Sequence, residues 1–110
     1  MKITQLKKQK NGLVKEYFTD GSLSSVAKYS NGKKDGACKV YLRNGRLRAI
    51  GRFSKGKMTG QWKWWREDGK LWQVGDFKEN KKNGSWKIYD KKEKVYSSST
   101  FKDNKKIKSL

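Results

Sequence analysis

Apolar and polar residues alternate along the chain in short stretches, and the whole pattern repeats every 24 residues. The repeat is marked by Gly12, Gly36, Gly60 and Gly84. A lysine stands three positions after each of these glycines, a tyrosine or tryptophan five positions after it, and an aromatic residue seventeen positions after it. Four copies in a row without an insertion or deletion indicate a repeat protein, in which each unit packs on its neighbours.

Within each unit the alternation has the period of two that is typical of β-strands. The dipeptides Asp20-Gly21, Asn44-Gly45 and Asp68-Gly69 interrupt it, and such pairs tolerate the positive φ angles of a two-residue type I′ hairpin turn. Each unit is therefore predicted to be a strand, a tight turn, a second strand and a return connection. The strands are expected near residues 13–18, 23–30, 37–42, 47–54, 61–66, 71–78, 85–90 and 95–102, and a ninth is considered at 2–6.

These elements predict an all-β protein whose fold is an antiparallel meander of about eight strands, built from four β-hairpin repeats into one elongated sheet. The length of 110 residues suits a single domain. The fourth unit departs from the repeat pattern at Glu93, Ser99 and Asn104, which predicts a degenerate terminal cap. The units are a partial one at 1–11, followed by 12–35, 36–59, 60–83 and 84–107.

The predicted register divides the side chains between two faces of the sheet. A two-residue loop at each Asp-Gly or Asn-Gly pair places Trp62 opposite Gly75 and Trp86 opposite Ser99, where a large side chain covers a small one. We call the face that carries Val14, Cys38, Trp62 and Trp86 the core face. It is also expected to hold two further rows. The leucine row consists of Leu23, Leu47, Leu71 and Val95, and the phenylalanine row consists of Tyr29, Phe53, Phe77 and Phe101.

The opposite face, which we call the mixed face, is expected to combine a lysine ladder with aromatic side chains. An exposed aromatic pair surrounded by charge is typical of a protein–protein hot spot. The alternative is that the lysine stems pack along neighbouring side chains with their ammonium groups in water, and that the rings only pack between strands. The candidate binding residues are Lys15, Lys39, Lys63, Lys87, Tyr17, Tyr41, Trp65, Tyr89, Trp72 and Arg48.

The charge of the chain restricts the partners. It has 29 basic and 10 acidic residues, giving a formal charge of +19, which attracts polyanions, anionic membranes or an acidic protein. Five of the basic residues are arginines. Because planar, bidentate phosphate recognition favours arginine, the lysine excess indicates a solvated surface more than a dedicated phosphate site. With 33% hydrophobic residues and a mean hydropathy of −1.13, the chain predicts a thin sheet and no thick core.

The residues for catalysis are missing. The chain has no histidine, so Cys38 lacks the usual activating base, and no two carboxylates are placed as an acid/base couple. No metal-ligand spacing or phosphate-binding loop occurs. We therefore predict a protein that is not an enzyme, with no cofactor, metal or small-molecule substrate.

The location is predicted from the single cysteine and from the first residues. Cys38 cannot form an internal disulfide, and the start MKITQLKKQKNG has no long apolar run. A reducing cytoplasm is the expected compartment.

The pattern Gly-x-aromatic-Lys-x-aromatic, followed by Gly-x-Leu and Gly-x-Phe-x-x-Gly, resembles the MORN repeat variant over residues 12–108. The chain is similar to small bacterial proteins built from this repeat, which are often described as YwqK-like antitoxins. The resemblance implies an elongated repeat sheet and an immunity or antitoxin protein that neutralises a cognate toxin by direct binding. It implies no particular site residue.

Three binding functions are therefore open. The first is the protein-binding module just described, with a toxin that offers an acidic surface. The second is nucleic-acid binding through a basic groove and aromatic platforms. The third is attachment to an anionic membrane surface, which is proposed for MORN repeats elsewhere.

Overall fold

The computed structural model describes residues 9–109, and these form one antiparallel β-sheet. The strands pair strictly in chain order, which confirms the all-β meander. They are β1 Gly12–Tyr17, β2 Leu23–Ser30, β3 Lys33–Tyr41, β4 Leu47–Ser54, β5 Lys57–Trp65, β6 Leu71–Lys78, β7 Lys81–Tyr89, β8 Val95–Lys102 and β9 Lys105–Ser109. The sheet is elongated, with extents of 58 × 33 × 22 Å.

Each of the eight expected strands from residue 13 onwards is present, but the return connections are shorter than predicted. β3, β5 and β7 begin at Lys33, Lys57 and Lys81, so each preceding connection has only two residues. β9 was not predicted, because its sequence KKIKS carries one apolar residue and so gives no alternation. The strand considered at 2–6 lies outside the described residues.

The type I′ turns occupy the return connections and not the Asp-Gly and Asn-Gly pairs, so their predicted place was wrong. Asn31 and Gly32 have φ angles of 51° and 81°, and Lys55 and Gly56 have angles of 49° and 85°. Two positive φ angles in a two-residue loop define this turn. The equivalent pairs Glu79-Asn80 and Asp103-Asn104 also have positive φ at both residues.

The Asp-Gly and Asn-Gly pairs lie instead in three-residue loops. Only the glycine of each pair has positive φ, as in Gly21 at 91°, and its N–H donates to the carbonyl of Phe18 at 2.9 Å. This is the geometry of a turn followed by a glycine bulge. The Asp20 carboxylate accepts hydrogen bonds from the hydroxyl and the backbone N–H of Ser22, and these bonds lower the pKa of Asp20.

The predicted register is confirmed through the body of the strands, where Cys38 pairs with Gly51, Trp62 with Gly75 and Trp86 with Ser99. Near each three-residue loop the register shifts by one residue at a β-bulge. A shift of one residue moves the following side chains to the other face. The bulge therefore changes two of the predicted assignments.

The leucine row lies on the mixed face, so its predicted place on the core face was wrong. Beyond the bulge, Tyr41 pairs with Leu47 and Trp65 pairs with Leu71, and directly paired side chains share a face. Leu47 and Trp65 accordingly line the same surface depression.

Arg48 and Trp72 are the extra residues of the bulge, and their predicted place on the mixed face was also wrong. Both line a groove together with Trp62 and Trp64, which are core-face residues. The bulge lets two consecutive residues face one partner, so Trp72 and Gln73 both point to the side of Trp64.

The core lies along the middle of the core face and is one side chain thick. Ala27, Cys38, Ala49 and Trp62 are buried and form one cluster, with Trp62 only 3% exposed. Burial raises the pKa of the Cys38 thiol. Half-buried hydrophobic residues pack around this cluster, and they include Tyr29, Val40, Phe53, Met58, Trp64 and Phe77.

Candidate functional site

The lysine ladder of the mixed face has the predicted arrangement. Lys15, Lys39, Lys63 and Lys87 are all exposed, and each is directly paired across the strands with a residue of the next row. Those partners are Val26, Ile50, Val74 and Ser98. Lysines two strands apart are about 9.6 Å from each other at the usual strand spacing, so β-branched side chains separate the charges of the ladder.

A second row runs beside the ladder, where aromatic residues meet the leucine row. Tyr41, Trp65 and Tyr89 are half-buried, and Tyr17 at the end of the row is 60% exposed. Each ring pairs with a leucine or valine on the adjacent strand. The mixed face therefore combines a continuous apolar row with a parallel row of ammonium groups.

Almost all of the basic groups lack an acidic partner. Within residues 9–109 a single ion pair forms, between Lys57 Nζ and Glu79 Oε1 at 4.0 Å, and both side chains are largely exposed. The ladder lysines therefore have no intramolecular counter-charge in the described part of the chain. Their positive field is directed outward and is available to an external anion.

The core face carries a groove with an aromatic floor and a volume of about 520 Å³. Arg48 and Lys82 contribute positive charge to its lining, and Gln73 contributes an amide. No carboxylate lines it. The other lining residues are apolar: Val40, Ala49, Trp62, Trp64, Trp72, Phe77 and Trp86.

The rings of this groove form a continuous array across the strands. Trp64 stacks against Trp62 at 6.0 Å and against Trp86 at 5.7 Å between ring centroids. Phe77 meets the indoles edge to face, at 6.3 Å from Trp62 and 5.2 Å from Trp86. Such contacts favour one fixed arrangement of the rings, so the floor of the groove is preformed.

Cations stand over the rings at both ends of the strands. Near the three-residue loops, the guanidinium groups of Arg48 and Arg66 lie 5.8 and 5.9 Å from the ring centroid of Trp72. Near the two-residue turns, Lys82 Nζ lies 4.7 Å from the Trp86 ring and 4.9 Å from the Phe101 ring. These distances are those of cation–π contacts, and they hold positive charge at both borders of the groove.

The candidate residues of the sequence analysis thus divide between two surfaces. The four lysines and the four residues of the aromatic row lie together on the mixed face, whereas Arg48 and Trp72 belong to the groove. Sequence reasoning missed Lys82 and Phe77 as members of a site. A signal for Lys82 was present, because Lys10, Lys34 and Lys82 recur at multiples of the 24-residue period, and each stands over an aromatic ring.

Within the described range, no three side chains of His, Cys, Asp or Glu lie close enough to hold a metal ion. Residues 9–109 likewise include no helix that is long and apolar enough to span a membrane.

Two segments of the chain are similar to a known repeat. Residues 10–33 and 58–79 match the family model of the MORN repeat variant. A search of curated proteins found no match. The two matched segments, together with the meander, indicate a repeat-based binding module.

Proposed function

We propose that this chain is a non-catalytic protein-binding module whose mixed face binds an acidic surface of another protein. In this proposal it acts in the cytoplasm as an immunity or antitoxin protein, and it neutralises a cognate toxin by direct binding. The resemblance to the MORN repeat variant supports the class of protein. The structure supports the mixed face as the binding surface.

The observation that carries the proposal is the apolar row of the mixed face. The described residues form a single layer, so nothing within that part of the chain covers Leu47, Trp65 or Leu71 beyond their immediate neighbours. The side chains on a sheet face that is exposed to water are ordinarily polar. A contiguous apolar row on such a face marks an interaction surface.

The lysine ladder determines what chemistry the partner needs. Four ammonium groups flank the apolar row and have no acidic partner among the described residues. A complementary surface would present carboxylates opposite the ladder and apolar side chains opposite Trp65 and the leucine row. Charge complementarity of this kind accelerates association and selects against basic partners, so a toxin with a basic active-site cleft would be bound outside that cleft.

The experiment is co-purification of this protein with the product of the adjacent gene, followed by affinity measurements on variants. Trp65→Ala removes the largest ring of the row and is expected to weaken binding by roughly thirtyfold or more, as for an interface hot spot. Lys63→Glu is expected to slow association. It is also expected to make the association rate fall less steeply as the salt concentration rises.

Lys55→Glu is the charge-matched control. It makes the same change of charge in a two-residue turn, and glutamate already occupies the equivalent turn position at Glu79. Its effect on affinity is expected to be small. The proposal is wrong if no protein co-purifies, or if Trp65→Ala and Lys63→Glu leave the affinity at the level of Lys55→Glu.

A further inference from the structure

We infer that the groove of the core face binds single-stranded nucleic acid, with bases stacked on its rings and phosphates held by the cations at its borders. This site is separate from the mixed face, because the sheet lies between them. The inference therefore goes beyond the proposed function, and either can fail without the other.

The first argument is the combination of exposed rings and a preformed floor. Trp62 and Trp86 are buried and hold the floor in place, whereas Trp64, Trp72 and Phe77 remain partly exposed above it. Aromatic side chains on a sheet are the usual platform for unpaired bases, since every base has a π-face to stack. The bases of a duplex are already stacked on each other, so the groove favours a single strand.

The second argument is the position of the positive charge. Arg48 and Arg66 stand beside Trp72 at one border, and Lys82 stands beside Trp86 at the other. Arg48 uses one N–H for the carbonyl of Trp65, at 3.3 Å, and a guanidinium has five N–H groups. It therefore keeps donors for a phosphate. Lys82 forms no ion pair within residues 9–109.

The third argument distinguishes nucleic acid from a peptide. The polar side chains that line the groove are Arg48, Gln73 and Lys82, and the two charged ones can only donate hydrogen bonds. A buried peptide needs acceptors for its N–H groups, and among the side chains of the lining only the amide oxygen of Gln73 can accept a hydrogen bond. A phosphodiester is purely an acceptor, and stacked bases can keep their polar edges in water. The lining therefore complements a nucleic acid better than a peptide.

The test measures fluorescence anisotropy of a labelled oligothymidylate of about twelve nucleotides, a length within the usual range of single-strand sites. The comparison ligands are an abasic oligomer of the same length and a duplex of the same length. Oligothymidylate is expected to bind more tightly than either and to quench tryptophan fluorescence. Equal affinity for the abasic oligomer would overturn the inference, since charge alone would then explain binding. So would the absence of binding at low salt.

Two variants test the place of binding. Trp72→Ala is expected to weaken oligothymidylate binding by roughly 5- to 150-fold, which corresponds to the stacking of one base. Arg48→Gln is expected to reduce the slope of log affinity against log salt by about 0.7, which corresponds to one phosphate contact. Trp72→Phe keeps a smaller ring and is expected to lose less affinity than Trp72→Ala.

The controls remove the same groups from the mixed face. Trp65→Ala removes one indole and Lys63→Gln removes one charge, and neither side chain lines the groove. Thermal unfolding followed by circular dichroism identifies any variant that is not folded. If the mixed-face variants weaken binding as much as the groove variants do, the inference is wrong. It is equally wrong if Trp72→Ala and Arg48→Gln bind like the unaltered protein.

Discussion

The indole rings of Trp62 and Trp86 lie flat over glycines of the preceding strand. A Cβ atom placed on Gly51 would come within 2.0 Å of the Trp62 ring, and one on Gly75 within 2.1 Å of the Trp86 ring. Each indole N–H also donates to a backbone carbonyl, that of Arg52 at 3.1 Å and that of Asp76 at 2.9 Å. The rings are therefore held in place by contact below and by a hydrogen bond at the edge.

The register predicts Gly75 as the direct partner of Trp62, and that pairing is confirmed. The ring nevertheless covers Gly51, on the other neighbouring strand. A residue in the middle of a sheet has two neighbours on its face, and pairing alone does not decide toward which of them the side chain leans. In the second repeat the smaller Cys38 occupies the position equivalent to Trp62, and its neighbour Ala27, in the first repeat, stands where the later units have Gly51 and Gly75.

Gly51→Ala is expected to destabilise the protein by about 1–3 kcal/mol, the usual cost of overpacking a core. The reason is that the added methyl group displaces the Trp62 ring from its contact and from its hydrogen bond. Urea unfolding followed by circular dichroism gives the free energy of unfolding. In a Trp62→Leu background the same substitution is expected to cost clearly less, and an equal cost in both backgrounds would contradict this role of the indole.

At the scale of the elements, the two kinds of hairpin connection have different effects on the strand register. The two-residue type I′ turns match the twist of the strands. The register shift that follows them in the β2–β3, β4–β5 and β6–β7 pairs is two residues, so the side chains keep their face. The three-residue loops and their bulges shift the register by one residue. That shift brings the leucine row onto the mixed face and Arg48 and Trp72 onto the core face. The composition of both faces is therefore set at the bulges.

The sequence predicted the place of β1 to β8 because the 24-residue period carries the alternation, but it did not predict β9. It did not predict the bulges, because a loop of two or three residues fits the same Asp-Gly pair. The type I′ turns were hard to recognise at Lys55-Gly56 and Glu79-Asn80, since lysine and glutamate are not residues that favour positive φ. Only the repeat position, shared with Asn31-Gly32, could have indicated them.

Lys55→Asn is expected to stabilise the protein by about 1 kcal/mol or less. Lys55 has a φ angle of 49°, and asparagine tolerates this left-handed conformation better than lysine does. Thermal unfolding and urea unfolding would measure the gain. The reverse change at the equivalent position, Asn31→Lys, is expected to destabilise by a similar amount, and the same sign for both variants would refute the explanation.

At the scale of the whole molecule, a single sheet carries a large excess of positive charge. The formal charge of the chain is +19. The basic residues within 9–109 are distributed over both faces and the turns, and one exposed ion pair forms among the described residues. Neighbouring lysines of the ladder are about 9.6 Å apart, close to the Debye length of about 10 Å at 0.1 M salt. Their repulsion is therefore moderate in physiological salt and stronger in dilute buffer.

The melting temperature is accordingly expected to rise as sodium chloride increases from about 10 mM to about 150 mM, because the Debye length falls from about 30 Å to about 8 Å. The double variant Lys39→Gln/Lys63→Gln removes neighbouring charges and is expected to depend less on salt. Lys55→Gln/Lys105→Gln removes two charges that are about 19 Å apart and serves as the control. A melting temperature that stays constant or falls with salt would show that repulsion between lysines does not limit stability.

The sequence by itself determined the period, the all-β meander, the pairing in the body of the strands and the row of lysines, because each follows from which residues recur at fixed spacing. Only the tertiary structure decided which face Trp72, Arg48 and the leucine row occupy. The physical reason is that one extra residue at a bulge reverses the direction of the side chains beyond it, and the geometry of a loop decides whether that residue is present. The aromatic groove follows from the same local shift.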